Sequence, residues 1–218
     1  MGREMKDMAE TRRRKPGPAR GALADLLKEI RACRHCVETP AGAPLPHAPR
    51  PVIQASHSAR IAIFSQAPGA RVHKSGRPFT DPSGERLRDW LGIGADIFYD
   101  ETRVAIAPMG FCFPGYDGKG GDLPPRKECA PLWRARLMAQ MPAVKTALLV
   151  GSYAQGWHLE GAAMKTMTQT VANWRAYAPD YFVIPHPSWR NNGWIRKHPW
   201  FEADLLPALR AAVQAALA

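Results

Sequence analysis

The sequence contains no run of 18 apolar residues, so no membrane-spanning helix and no membrane partner are expected. No internal repeat is visible, which argues against a solenoid or a propeller. Cysteine is scarce, with four in 218 residues, far below the density of a disulfide scaffold. The basic cluster Arg12, Arg13, Arg14 and Lys15 is not followed by an apolar segment, so no secretory or twin-arginine signal is read there. A reducing, cytoplasmic setting is therefore expected, where cysteines bind metal or do redox chemistry more often than they pair. Acidic residues are also few: 19 against 30 Lys and Arg, a formal charge of +11. That imbalance favours a polyanionic partner, most commonly nucleic acid, although it also serves simple solubility.

Apolar residues make up 45% of the chain, enough for one domain with a full core and tight for two. Residues 1–19 are polar, basic and proline-containing and read as a disordered tail that touches phosphates without specificity; residues 20–218 read as one domain. Leu23, Leu26, Leu27 and Ile30 recur at helical spacing, giving a first helix to about Ala32. Five prolines between residues 38 and 58 mark a long loop. Short apolar runs at 61–64, 104–107, 147–150 and 181–184 alternate with helical patterns near 83–92, 127–141, 152–158, 165–176 and 201–217. Such alternation predicts an α/β fold: a parallel sheet with helices on both faces, whose sites form at the carboxyl ends of the strands. The segments 65–69, 108–112, 151–153 and 186–193 should gather at that edge.

Cys33 and Cys36 form a close pair just past the first helix, and Cys112 and Cys129 are separated by 16 residues. Four thiolates suit zinc or an iron–sulfur cluster equally well by chemistry, although the second half lacks the close spacing of a zinc knuckle.

The cysteines are followed by Gln66-Ala67-Pro68-Gly69 after the first strand, then by Gly76-Arg77-Pro78-Phe79. Gly151 and Ala154 follow the third strand, and His186-Pro187-Ser188 the fourth. In this order the motifs resemble the iron–sulfur (family-four) uracil-DNA glycosylases, whose first motif reads Gly-Glu-Ala-Pro-Gly. The resemblance covers about residues 22–210. It implies a three-layer α/β/α sandwich around a four-stranded parallel sheet, with a 4Fe–4S cluster on Cys33, Cys36, Cys112 and Cys129. It also implies excision of a deaminated base from single- or double-stranded DNA, leaving an abasic site.

The residues make chemical sense in that scheme. Phe79 offers a face on which a flipped base stacks, or else it packs in the core. Ala67, Pro68 and Gly69 let backbone approach the base closely. His186 can donate to the leaving base anion, with Ser188 supporting it or holding a phosphate. Asp81 orients water or caps the next helix. Trp189, Arg190 and Asn191, in an aromatic and basic loop running to Trp194, can wedge into the DNA stack and grip phosphates. Trp194 and Trp200 otherwise pack the last helix. No lyase lysine is evident, so a monofunctional enzyme, expected to be a monomer, is anticipated.

The chain also departs from the pattern. Ser65 stands for the first glycine and Gln66 for the glutamate, leaving Gln66 to lie against the base or position water. Ala67 occupies the place of the catalytic aspartate of family-one enzymes. Alignment through Cys112 puts Pro108 where an asparagine reads uracil, and proline has no side-chain hydrogen-bonding group. Uracil is the first expectation, with hypoxanthine, xanthine or a substituted uracil as alternatives. A non-catalytic DNA or abasic-site binder, and a zinc-stabilised enzyme acting on a small nucleoside, are the competing readings.

Overall fold

A computed structural model describes residues 20–218. The expected tail at 1–19 lies outside the described residues. The strands are β1 (Ile61–Phe64), β2 (Val104–Ile106), β3 (Thr146–Val150) and β4 (Tyr181–Ile184). The helices are α1 (Arg20–Arg31), α2 (His35–Glu38), α3 (Ala70–Ser75), α4 (Pro82–Leu91) and α5 (Ala95–Phe98). They continue with α6 (Cys129–Ala139), α7 (Ser152–His158), α8 (Met167–Ala172), α9 (Asn192–Lys197) and α10 (Leu206–Leu217).

All strand pairs are parallel and the order is β2-β1-β3-β4. Helices flank this sheet, giving the three-layer α/β/α sandwich. The two central strands are buried along their whole length, which is why they read as unbroken apolar runs instead of alternating ones. On the Phe64 side, His158 of α7 stacks on that ring at 4.1 Å and Arg134 of α6 lies over it at 4.8 Å. Helix α10 packs across β1 and β3 and against α4. Among the described residues no helix is long and apolar enough to cross a membrane.

Three segments differ from the sequence expectation. The helix expected at 165–176 is divided into α8 and a 3₁₀ turn, Trp174–Ala176. The last helix opens with a π turn, Phe201–Leu205, ahead of Pro207. Proline cannot donate to the carbonyl four residues back, so the chain enters α10 through a wider turn. The segment 189–194 is not a loop throughout: Trp189–Asn191 is a 3₁₀ turn and α9 follows directly. There, Trp194 Nε1 donates to Thr168 Oγ1 at 2.7 Å and the ring packs on Trp200 and Phe201, so local side-chain anchoring overrides the glycine at 193.

The proline-rich stretch is a strap. It pairs with the free edge of β2 through reciprocal backbone bonds between Gln54 and Ile106, and Val52 N–H donates to Phe111 O.

Candidate active site

The carboxyl ends of the strands open into a pocket with about 500 Å³ between its walls. Ala67, Pro68 and Gly69 leave β1, Phe79 and Asp81 precede α4, Pro108 follows β2, and His186 follows β4; all line this pocket. Gln66 and Ser188 do not. They line the wider groove outside it, together with Trp189, Arg190, Asn191 and the arginines Arg71 and Arg86.

Phe79 forms the pocket wall in an uncommon conformation. Its φ is +53°, a left-handed value that a bulky residue adopts only when its surroundings enforce it. Tyr99 Oη donates to its carbonyl at 3.0 Å. The carbonyl also lies where a Cβ on Gly84 would fall, only 1.9 Å from that position, so α4 approaches this closely only because residue 84 is glycine. Gly84→Ala is expected to push Phe79 out of place. The expected result is a KM raised about tenfold and a stability loss of about 1–3 kcal/mol, read by steady-state kinetics and urea unfolding. Unchanged KM would show that Phe79 does not stack on substrate.

Asp81 occupies the N-cap position of α4, yet its side chain accepts no bond from the helix backbone. Its Oδ1 accepts instead from Ser83 Oγ at 2.8 Å, and the carboxylate faces the pocket near His186. Burial lowers the His186 pKa below its ordinary value, and Asp81 opposes that shift. The imidazole is therefore neutral at pH 7, suited to donating a hydrogen bond.

The fourth-strand loop is fixed from behind. Gly151, with φ +81°, places its backbone against His186 and donates its N–H to Ile184 O. Asn191 Nδ2 donates to the His186 carbonyl at 2.7 Å. Asn191 thus braces the His186 carbonyl while also lining the groove. Ser188 Oγ accepts from Arg190 N–H and caps the 3₁₀ turn, and Arg86 ties α4 to this loop through Ser188 O and Asn192 Oδ1. Trp189 is 73% exposed, the most exposed large apolar residue among those described.

Asp122 was missed in the sequence, where it sits in a glycine-rich stretch without regular pattern. A small hairpin carries it: Asp117 N–H donates to Gly121 O, Leu123 N–H to Gly115 O, and Asp117 Oδ1 accepts from the N–H groups of Lys119 and Gly121. The residue is exposed as a whole, but its carboxylate reaches over the pocket to within 3.4 Å of where a Gly69 Cβ would lie. Desolvation raises its pKa, Arg190 opposes this, and Asp81 adds to it.

Behind β2, all four cysteines line one cavity with about 340 Å³ between its walls. Ile30, Leu45, Pro49, Pro51, Phe111 and Trp133 make it apolar. Burial pushes the Cys112 and Cys129 thiols up to about 12. Among the described residues, no three Cys, His, Asp or Glu side chains are grouped tightly enough to hold a single metal ion as they stand.

A neutral histidine, a carboxylate and a buried ring around a pocket at the carboxyl edge of a parallel sheet define an α/β enzyme site. The family model for the uracil DNA glycosylase superfamily matches residues 53–210, and the chain belongs to that superfamily. The family is one of DNA glycosylases, hydrolases acting on DNA. The match spans every pocket residue named above, as well as Cys112 and Cys129.

Proposed function

We propose that the protein is a monofunctional DNA glycosylase that flips uracil, or a related deaminated base, out of DNA and hydrolyses its N-glycosidic bond. The observation that carries this reading is the convergence of Phe79, Asp81, His186 and the 67–69 backbone on one pocket beneath a groove edged by arginines. The flipped base stacks on Phe79 while Trp189 enters the gap it leaves. As the bond from sugar to base breaks, positive charge grows on the sugar and negative charge on the base. Neutral His186 donates a hydrogen bond to the base anion, and Asp81 steadies the cationic sugar and orients water. Water supplies hydroxide to the sugar and a proton to the base, so no residue is consumed.

Pro108 supplies no polar side-chain group to the base edge. Asp122 supplies an acceptor from the other side of the pocket, and through it the enzyme selects bases presenting an N–H there. Asp122→Asn, which replaces an acceptor by a group that both accepts and donates, is expected to change relative kcat/KM between bases by about tenfold.

The cysteine cavity fits a 4Fe–4S cluster by its donor set. Burial keeps the Cys112 and Cys129 thiols protonated on their own, and metal takes the place of those protons. Cys33, Cys36, Cys112 and Cys129 would hold it. When bound it supplies a structural cross-link, tying the end of α1 to the β2 loop and the start of α6.

The test is a panel of oligonucleotides carrying uracil, hypoxanthine or xanthine, single- and double-stranded, treated with alkali after incubation. Release of uracil, with strand cleavage only after alkali, is expected. No release of any base at micromolar enzyme, with retained binding in a gel shift, would replace this reading by that of a DNA-binding protein without chemistry.

A further inference from the structure

Arg134 is a guanidinium in the core. It is 3% exposed, and among the described residues no carboxylate pairs with it. A buried charge of this kind is costly unless something compensates it. Its Nη1 donates to Ala107 O at 2.9 Å and its Nη2 to Pro108 O at 2.6 Å, with Met109 Sδ at 3.5 Å. The ring of Phe64 lies below it at 4.8 Å and that of Phe111 at 6.0 Å. Its Nε has no partner among the described residues. Carbonyl dipoles and ring faces compensate only part of a full charge.

Its position explains the residue better than its contacts do. Arg134 sits on α6, five residues after Cys129, and lies over the ring of Phe111, whose backbone N–H reaches the Cys129 Sγ. The segment 107–112 that it grips has Pro108 at one end, in the base pocket, and Cys112 at the other, in the cysteine cavity. Between them Met109 N–H donates to Ser65 O, Gly110 N–H to Gln66 O, and Phe111 N–H to Cys129 Sγ at 3.4 Å. One side chain thus holds a segment that runs directly from the base pocket to the cysteine cavity.

We propose that Arg134 is a positioning residue with two separable roles, resting on the iron–sulfur reading above. Its positive charge balances the thiolate-bound cluster, and its two-pronged grip on residues 107 and 108 sets the pocket wall. Lysine separates these roles, because it keeps the charge but cannot reproduce the planar fork.

The experiment compares wild type, Arg134→Lys and Arg134→Met after anaerobic reconstitution with iron and sulfide. Two readouts are taken: the rate at which absorbance near about 400 nm bleaches under a chelator, and KM and kcat on a uracil oligonucleotide. Arg134→Met is expected to bleach about tenfold faster than wild type. Arg134→Lys should bleach within about twofold of wild type yet show KM raised about tenfold with kcat little changed. Equal bleaching of Lys and Met variants overturns the charge role, and wild-type KM in the Lys variant overturns the grip. If Arg134→Met fails to fold, Arg134→Gln takes its place in the bleaching comparison with Arg134→Lys, and Arg134→Lys against wild type still decides the grip. A wild-type protein that takes up no iron overturns the cluster reading, and with it the charge role, while the KM comparison still decides the grip.

Discussion

His186→Ala is expected to slow single-turnover excision of uracil by about 10²–10³-fold while leaving DNA binding nearly unchanged. The size of this effect follows from where charge develops. In the proposed reaction the base departs as an anion within a pocket that the flipped base itself fills, and there a preorganised donor is worth far more than in solution. The pH profile gives a second signature. Burial holds the His186 pKa below its ordinary 6.5, with Asp81 pulling the other way. The neutral ring is the form that lets the base keep its negative charge without a proton transfer. It prevails above the depressed pKa, so the acid limb of kcat/KM should be centred below 6.5, the ordinary histidine value. An acid limb centred above pH 7 would contradict the neutral donor. If His186→Ala lowered thermal stability but left single-turnover rates intact, the ring would be packing and nothing more.

The second large effect concerns the cysteines. Cys112→Ala is expected to abolish the absorbance near about 400 nm and to lower Tm by on the order of 10 °C. The reasoning is one of linkage: metal binds the folded state and not the unfolded chain, so its binding free energy appears as folding free energy. On the proposed reading, the cavity is expected to lose stability without it. Cys112 and Cys129 are held protonated by burial, and the strap from residue 39 to 60 is fastened to the sheet by few backbone bonds. Purified protein containing zinc, colourless and stripped by a chelator, would overturn the iron assignment. A Cys112→Ala protein as stable as wild type would overturn any metal.

The sheet was legible in the sequence because central parallel strands are buried on both faces, and 61–64 and 147–150 show this as uninterrupted apolar runs. His186, Phe79 and the 67–69 turn were legible because they sit in short motifs beside strand ends. Gly84, Arg134 and Asp122 were not. Each acts through a partner far along the chain or across a turn: Gly84 through the carbonyl of Phe79, Arg134 through the carbonyls of 107 and 108, Asp122 through the space above Gly69. Nothing local marks such residues, since an arginine in a helix reads as surface. Asn191 has a further partner, the His186 carbonyl, that nothing in the local sequence marks.

The strand order β2-β1-β3-β4 means that the chain leaves the centre of the sheet in opposite directions after β1 and after β3. The residues facing the base edge, at 67–69, 108 and 122, belong to the β1–β2 half, whereas His186 and Trp189 come from the β4 half. On the proposed reading the contacts to the base edge, together with Asp81, come from one half of the sheet and the donor to the leaving base from the other. On the proposed reading, changes around β2 and the 115–123 hairpin are expected to alter base preference while leaving the His186 donor in place. The same division gives an engineer one half to diversify and the other to leave alone.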